Sequence, residues 1–103
     1  MKNSDIDALV LDEVRNRIRD LRGLDAQDLR TLPRESVENL CFGGKSLTVC
    51  TYRDPLKNGE CLVIVQCKNT RFFGYGKMMA EGIVVGESGE KRNAEEELLW
   101  EYV

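Results

Sequence analysis

The sequence contains no histidine. That absence removes the commonest general base, the side chain that titrates near neutral pH and the commonest metal ligand. An excess of basic charge is missing too: fifteen Lys and Arg stand against eighteen Asp and Glu, a formal net charge of −3. A chain-wide electrostatic grip on nucleic acid or anionic lipid is therefore not expected. Charges recur every few residues from Lys2 onward, and no run approaches the ~18 apolar residues of a membrane-spanning helix. No apolar leader follows Met1, so the expectation is a cytoplasmic protein without membrane attachment. Nucleotide-binding glycine loops, Walker-type loops and Asp-rich calcium loops are all absent. Neither a cofactor nor a metal is expected, and catalysis is not.

What is present is a globular composition. The 103 residues are 42% apolar and 32% charged, sufficient for one modest core and one domain spanning residues 1–103. From Ser4 to Leu21, the apolar residues Ile6, Val10, Leu11, Val14, Ile18 and Leu21 fall within an arc of about 140° at helical spacing. Ser4 is a suitable N-cap and Gly23 a suitable stop. Asp25 to Leu32 reads as a shorter helix ended by Pro33. The period then changes. Val37 to Phe42 and Leu47 to Tyr52 read as strands, Arg53 to Gly59 as a loop, and Cys61 to Cys67 as a continuously apolar strand covered on both faces. Phe72 to Val85 reads as a strand region broken by Gly74, Gly76 and Gly82. Asn93 is placed to cap a short final helix beginning at Ala94. The expected fold is a two-layer α+β sandwich. Its N-terminal helix packs on a three- to four-stranded antiparallel sheet, with a short C-terminal helix.

Cys41, Cys50, Cys61 and Cys67 form no Cys-x-x-Cys pair, which argues against structural zinc. They read as free thiols serving as small hydrophobes. Asn58-Gly59 is a strong signal for a two-residue hairpin turn. That turn would pair Lys57 with Glu60, set Cys50 opposite Cys67, and place Cys50, Cys61 and Cys67 on one face.

The most suggestive segment is Arg71-Phe72-Phe73-Gly74-Tyr75-Gly76-Lys77. Aromatics interleaved with glycine between cations can stack bases and contact phosphates. This segment resembles the basic, Gly-rich aromatic strand of RNA-recognition motifs, although the βαββαβ order of that family is missing. Helix, three strands, helix is also similar to the order of double-stranded-RNA-binding domains. Here, however, Glu95, Glu96 and Glu97 follow Lys91-Arg92 where that family meets phosphate. An arginine edge runs along the first helix through Arg15, Arg19 and Arg22, with Arg30 and Arg34 beyond it. From Glu87 onward six glutamates face two cations. Exposed aromatic and Arg residues are the usual composition of an interface centre. The sequence therefore points to a small, non-catalytic protein–protein interaction or self-association module. Its surface would be Arg71, Phe72, Phe73, Tyr75 and Lys77 with Trp100 and Tyr102, and its partner a protein or a second copy forming a homodimer. The alternative is a single-stranded nucleic-acid-binding domain using 71–77.

Overall fold

The apolar stripe and the change of period build two layers. The computed structural model describes residues 3–42, 45–69 and 78–99. Helix α1 spans Asn3–Arg22, and α2 spans Ala26–Arg30. Strands β1 (Glu35–Phe42), β2 (Lys45–Pro55), β3 (Cys61–Asn69), β4 (Met78–Val85) and β5 (Lys91–Asn93) follow, and α3 (Glu96–Leu99) comes last. The strands form one antiparallel sheet in the order β1-β2-β3-β4-β5. No described helix is long and apolar enough to cross a membrane.

The α+β class and the helix-on-sheet arrangement agree with the sequence, while the sheet has five strands instead of three or four. The extra strand is short and charged, which hid it. Lys91, Arg92 and Asn93 pair with Val85, Val84 and Ile83. Asn93 consequently ends a strand and does not cap a helix. The next residue, Ala94, donates to the Gly82 carbonyl (2.9 Å), and α3 begins only at Glu96. At the other end of the chain α1 already includes Ser4, which lies inside the first turn and is not the residue before it. The expected 53–59 loop is also shorter, because β2 continues through Arg53 to Pro55.

Every residue of β3 from Cys61 to Cys67 is buried. Val10, Val14 and Ile18 of α1 cover one face of the sheet, packing with Leu47, Val49, Val65, Cys67 and Ile83. Leu29 of α2 extends that layer over Cys61, Val63 and Val85. On the other face, Leu98 and Leu99 of α3, together with Leu56 and Ala94, cover Leu62, Ile64 and Val84. Each fully buried Val, Leu or Ile contributes about 1.5–3 kcal/mol relative to exposure.

Cations tie the connecting segments to the layers. Lys91 Nζ donates to the carbonyls of Arg22 (2.9 Å) and Leu24 (2.5 Å), a positive charge at the negative end of α1. Arg30 donates to the Gly86 carbonyl (2.7 Å), and Arg53 Nε donates to that of Leu32 (2.5 Å). Arg17 bridges Glu13 (2.8 Å) and Glu38 of β1 (2.7 Å), fastening the opposite flank of α1 to the sheet.

Gly82 pairs with Ile64 in regular register, so it marks no bulge. A Cβ there would lie 3.1 Å from Ala94 Cβ, 3.1 Å from Leu99 Cδ2 and 3.2 Å from Ile64 Cγ1. Its lack of a side chain is what lets α3 close on the sheet. Gly82→Ala is expected to destabilise the fold by about 1–3 kcal/mol through overpacking, read as a lower urea midpoint at unchanged m-value. A midpoint equal to wild type would mean that α3 does not seat on Gly82.

Candidate interaction surfaces

The aromatic and basic residues that the sequence singled out, Arg71, Phe72, Phe73, Tyr75, Lys77, Trp100 and Tyr102, lie outside the described residues. The surfaces that can be built from the residues upward are the two edges of the sheet and the uncovered part of its second face.

Face assignment begins with the β2–β3 hairpin. Asn58 (φ 62°) and Gly59 (φ 76°) do form the expected tight turn, and the Glu60 amide donates to the Lys57 carbonyl at 3.3 Å. The Leu56 amide, however, donates to the Glu60 carbonyl at 2.8 Å. Lys57 is thereby left as one extra residue on the first strand, a bulge. The register becomes Pro55 with Cys61, Val49 with Cys67, and Cys50 with Gln66. The expected Cys50–Cys67 pairing is therefore wrong. A one-residue slip turns every side chain of a strand over, so Cys50 lies on the face opposite Cys61 and Cys67.

All four cysteines are free thiols: Cys41 is exposed, and Cys50, Cys61 and Cys67 are buried. Burial pushes the Cys67 thiol up to about 11; the negative charge of Glu13 adds to the shift and Arg17 opposes it. A thiol so disposed is almost wholly protonated at neutral pH and a poor nucleophile. On the second face Tyr52 is pushed up to about 12, first by burial and then by its hydrogen bond with Cys50 and the charges of Cys50 and Glu35. Among the described residues, no group of three or more Cys, Asp or Glu is placed to hold a metal ion.

The β1 edge is the most open part of the sheet. Among the described residues β1 pairs on one side only, with β2. The Arg53 amide donates to the Arg34 carbonyl directly opposite it. In an antiparallel pair, bonded and non-bonded positions alternate. With this register, Ser36, Glu38 and Leu40 bond inward to β2. Glu35, Val37, Asn39 and Cys41 turn their backbone groups outward. The same four side chains share the second face with Cys50 and Tyr52, and all four are exposed. Val37 is the one large apolar residue exposed among the described residues, at 55%.

The opposite edge is only half covered. β5 pairs with Ile83, Val84 and Val85 and stops. Beyond it, β4 has no described neighbour on that side from Met78 to Glu81. Where β5 ends, Ile18, Arg22, Glu81, Gly82, Asn93, Ala94 and Leu99 line a notch of about 250 Å³. A second cavity of about 180 Å³ lies under the β2–β3 hairpin. Two of its lining residues, Arg30 and Arg53, are committed to backbone carbonyls.

No family model, curated protein or solved structure matches the chain. The functional reading therefore rests on this chain's own residues.

The thiol environments make a direct prediction. In the native protein Cys41, which is exposed, is expected to react with a maleimide far faster than the buried Cys50, Cys61 and Cys67, and raising the pH from neutral toward 9 should leave Cys67 unlabelled, because burial holds its thiol up at about 11. Peptide mapping by mass spectrometry reads both effects. Labelling of Cys67 at the Cys41 rate would contradict the burial described.

Proposed function

We propose that the protein is a small, non-catalytic interaction module that acts by strand addition at the β1 edge, with a second copy of the chain as the occupant. The observation carrying this reading is the coincidence, on four alternate residues, of outward backbone groups and exposed side chains: Glu35, Val37, Asn39 and Cys41. An unpaired edge of this kind templates another strand unless a charge, a proline or a covering element blocks it. Pro33 lies before β1, Glu38 is paired with Arg17 (2.7 Å), Glu35 stands at the first residue of the strand, and no described element lies against the outer edge.

Charge supports an isologous, two-fold pairing over an arbitrary partner strand. Like charges directly opposite one another destabilise a sheet. Antiparallel self-pairing centred on Asn39 avoids that juxtaposition. It sets Asn39 against Asn39 of the second copy, Val37 against its Cys41, and Glu38 against its Leu40. The apolar side chains then cover one another on the second face, and the sheets of the two copies become continuous. Two-fold closure also uses the β1 edge of both copies, so the β1 contact itself closes at two chains. Catalysis has no comparable support, since the chain has no histidine and the buried Cys67 thiol is held protonated.

The test is the oligomeric state. Sedimentation equilibrium from micromolar to millimolar concentration should show a reversible monomer–dimer equilibrium. Val37→Lys, a charge on the exposed edge, should weaken dimerisation at least about tenfold, or ~1.4 kcal/mol, with an unchanged far-ultraviolet circular dichroism spectrum. A wild-type chain that stays monomeric throughout, or a dimer indifferent to Val37→Lys, would refute strand addition by a second copy.

A further inference from the structure

The second edge of the sheet carries its own recognition chemistry, independent of β1. On α1, Arg15, Arg19 and Arg22 are spaced four and three residues apart and therefore form one stripe. All three are exposed, and none makes an ion pair with a described residue. The other arginines nearby differ: Arg17 is bound to Glu13 and Glu38, and Arg30 to the Gly86 carbonyl. The stripe's position follows from two anchors. Arg17 reaches β1 from one flank of α1, while Arg22 lies in the notch with Glu81 and Asn93 on the other. The C-terminal end of α1 is pinned to β5 by Lys91, and Val10 and Val14 share a core cluster with Met79. Arg19 and Arg15 therefore run back from the notch alongside β4 residues 79–81, the stretch that β5 leaves unpaired.

Three features thus meet along one line: a strand edge with no described neighbour, a row of guanidinium groups without an ion pair to any described residue, and a notch with the apolar side chains Ile18, Ala94 and Leu99 in its wall. We infer that this line is a binding site for an extended acidic peptide segment. Its backbone adds to the open edge of β4, an apolar side chain enters the notch, and carboxylates pair with Arg15 and Arg19. Strand addition supplies main-chain hydrogen bonds, and alternate side chains supply specificity. Guanidinium groups favour carboxylates through two-point hydrogen bonding. The features favour a peptide over a nucleic acid. A strand edge offers hydrogen bonds that match an uncharged peptide backbone and the notch takes an apolar side chain, whereas a continuous phosphate chain would set a phosphate against Glu81 in the notch.

Glu81 gives the site a signature that a merely structural arginine stripe would lack. Glu81 lines the same notch as Arg22, so its negative charge opposes an acidic ligand, and its removal should tighten binding. The experiment is a fluorescence-anisotropy titration of the full chain with a fluorescein-labelled peptide, Thr-Leu-Val-Asp-Glu-Asp. Comparison probes are its Asn/Gln counterpart and a twelve-nucleotide oligothymidine. The acidic peptide should bind at least about tenfold more tightly than the neutral one, and added salt should narrow the gap. Arg15→Glu combined with Arg19→Glu should abolish that preference, Glu81→Gln should tighten the acidic peptide about threefold, and Val37→Lys should change nothing, which separates this site from the β1 edge. The inference is overturned if the acidic peptide does not bind, if the neutral peptide binds equally well, if Glu81→Gln weakens binding, or if the oligothymidine binds more tightly than the peptide.

Discussion

Burial of β3 on both faces is the constraint from which the rest of the structure follows. A strand reading Cys-Leu-Val-Ile-Val-Gln-Cys offers no polar face to water, so it must lie inside a sheet that is covered twice. α1 and α2 cover one side and α3 the other. The chain places β2 and β4 beside β3 through successive antiparallel connections. With helical cover concentrated over β3 and its neighbours, β1 remains at the margin, where Glu35 through Asn39 are all exposed. The open edge is thus a consequence of where the apolar residues are spent. The stability of the core and the availability of the surface have one origin.

Much of this was legible in the chain because it depends on local spacing. The stripe Val10, Val14, Ile18 identifies α1 and its buried face, and the unbroken run from Leu62 to Val65 identifies the central strand. Register was not legible. A single hydrogen bond, from the Leu56 amide to the Glu60 carbonyl, inserts Lys57 as a bulge and moves Cys50 to the opposite face. The Asn-Gly signal reports the turn but not the residue beside it. β5 escaped for a different reason. Lys91 and Arg92 have no strand signature of their own, and they pair because the turn at Gly86–Glu90 returns the chain against Val84 and Val85.

The two proposed surfaces divide along the same line. The arginine stripe Arg15, Arg19, Arg22 was visible as a pattern, yet the proposal built on it depends on the short β5, which leaves residues 78–81 of β4 without a described strand neighbour. The β1 edge carries almost no sequence signal, since Val37 and Asn39 are ordinary strand residues. Only strand order reveals that they have no outer neighbour among the described residues. The two edges also differ in charge: β1 has two glutamates and no cation, whereas Arg15, Arg19 and Arg22, exposed and without an ion pair to any described residue, lie on α1. Edges so different favour different occupants, which is why one is read as a self-pairing surface and the other as a receptor for acidic segments.

Amide hydrogen exchange followed residue by residue, at dilute and at concentrated protein, tests the central claim most directly. In dilute solution the amides of β3 should be the slowest in the molecule. Those of Glu35, Val37, Asn39 and Cys41 should exchange rapidly, while Ser36, Glu38 and Leu40 between them are protected by β2. On concentration, the four outward amides should slow at least about tenfold as the edge is filled, an effect on the order of 1.4 kcal/mol. Outward amides already as protected as their inward neighbours in dilute solution, or indifferent to concentration, would contradict the account of β1 as an open, self-pairing edge.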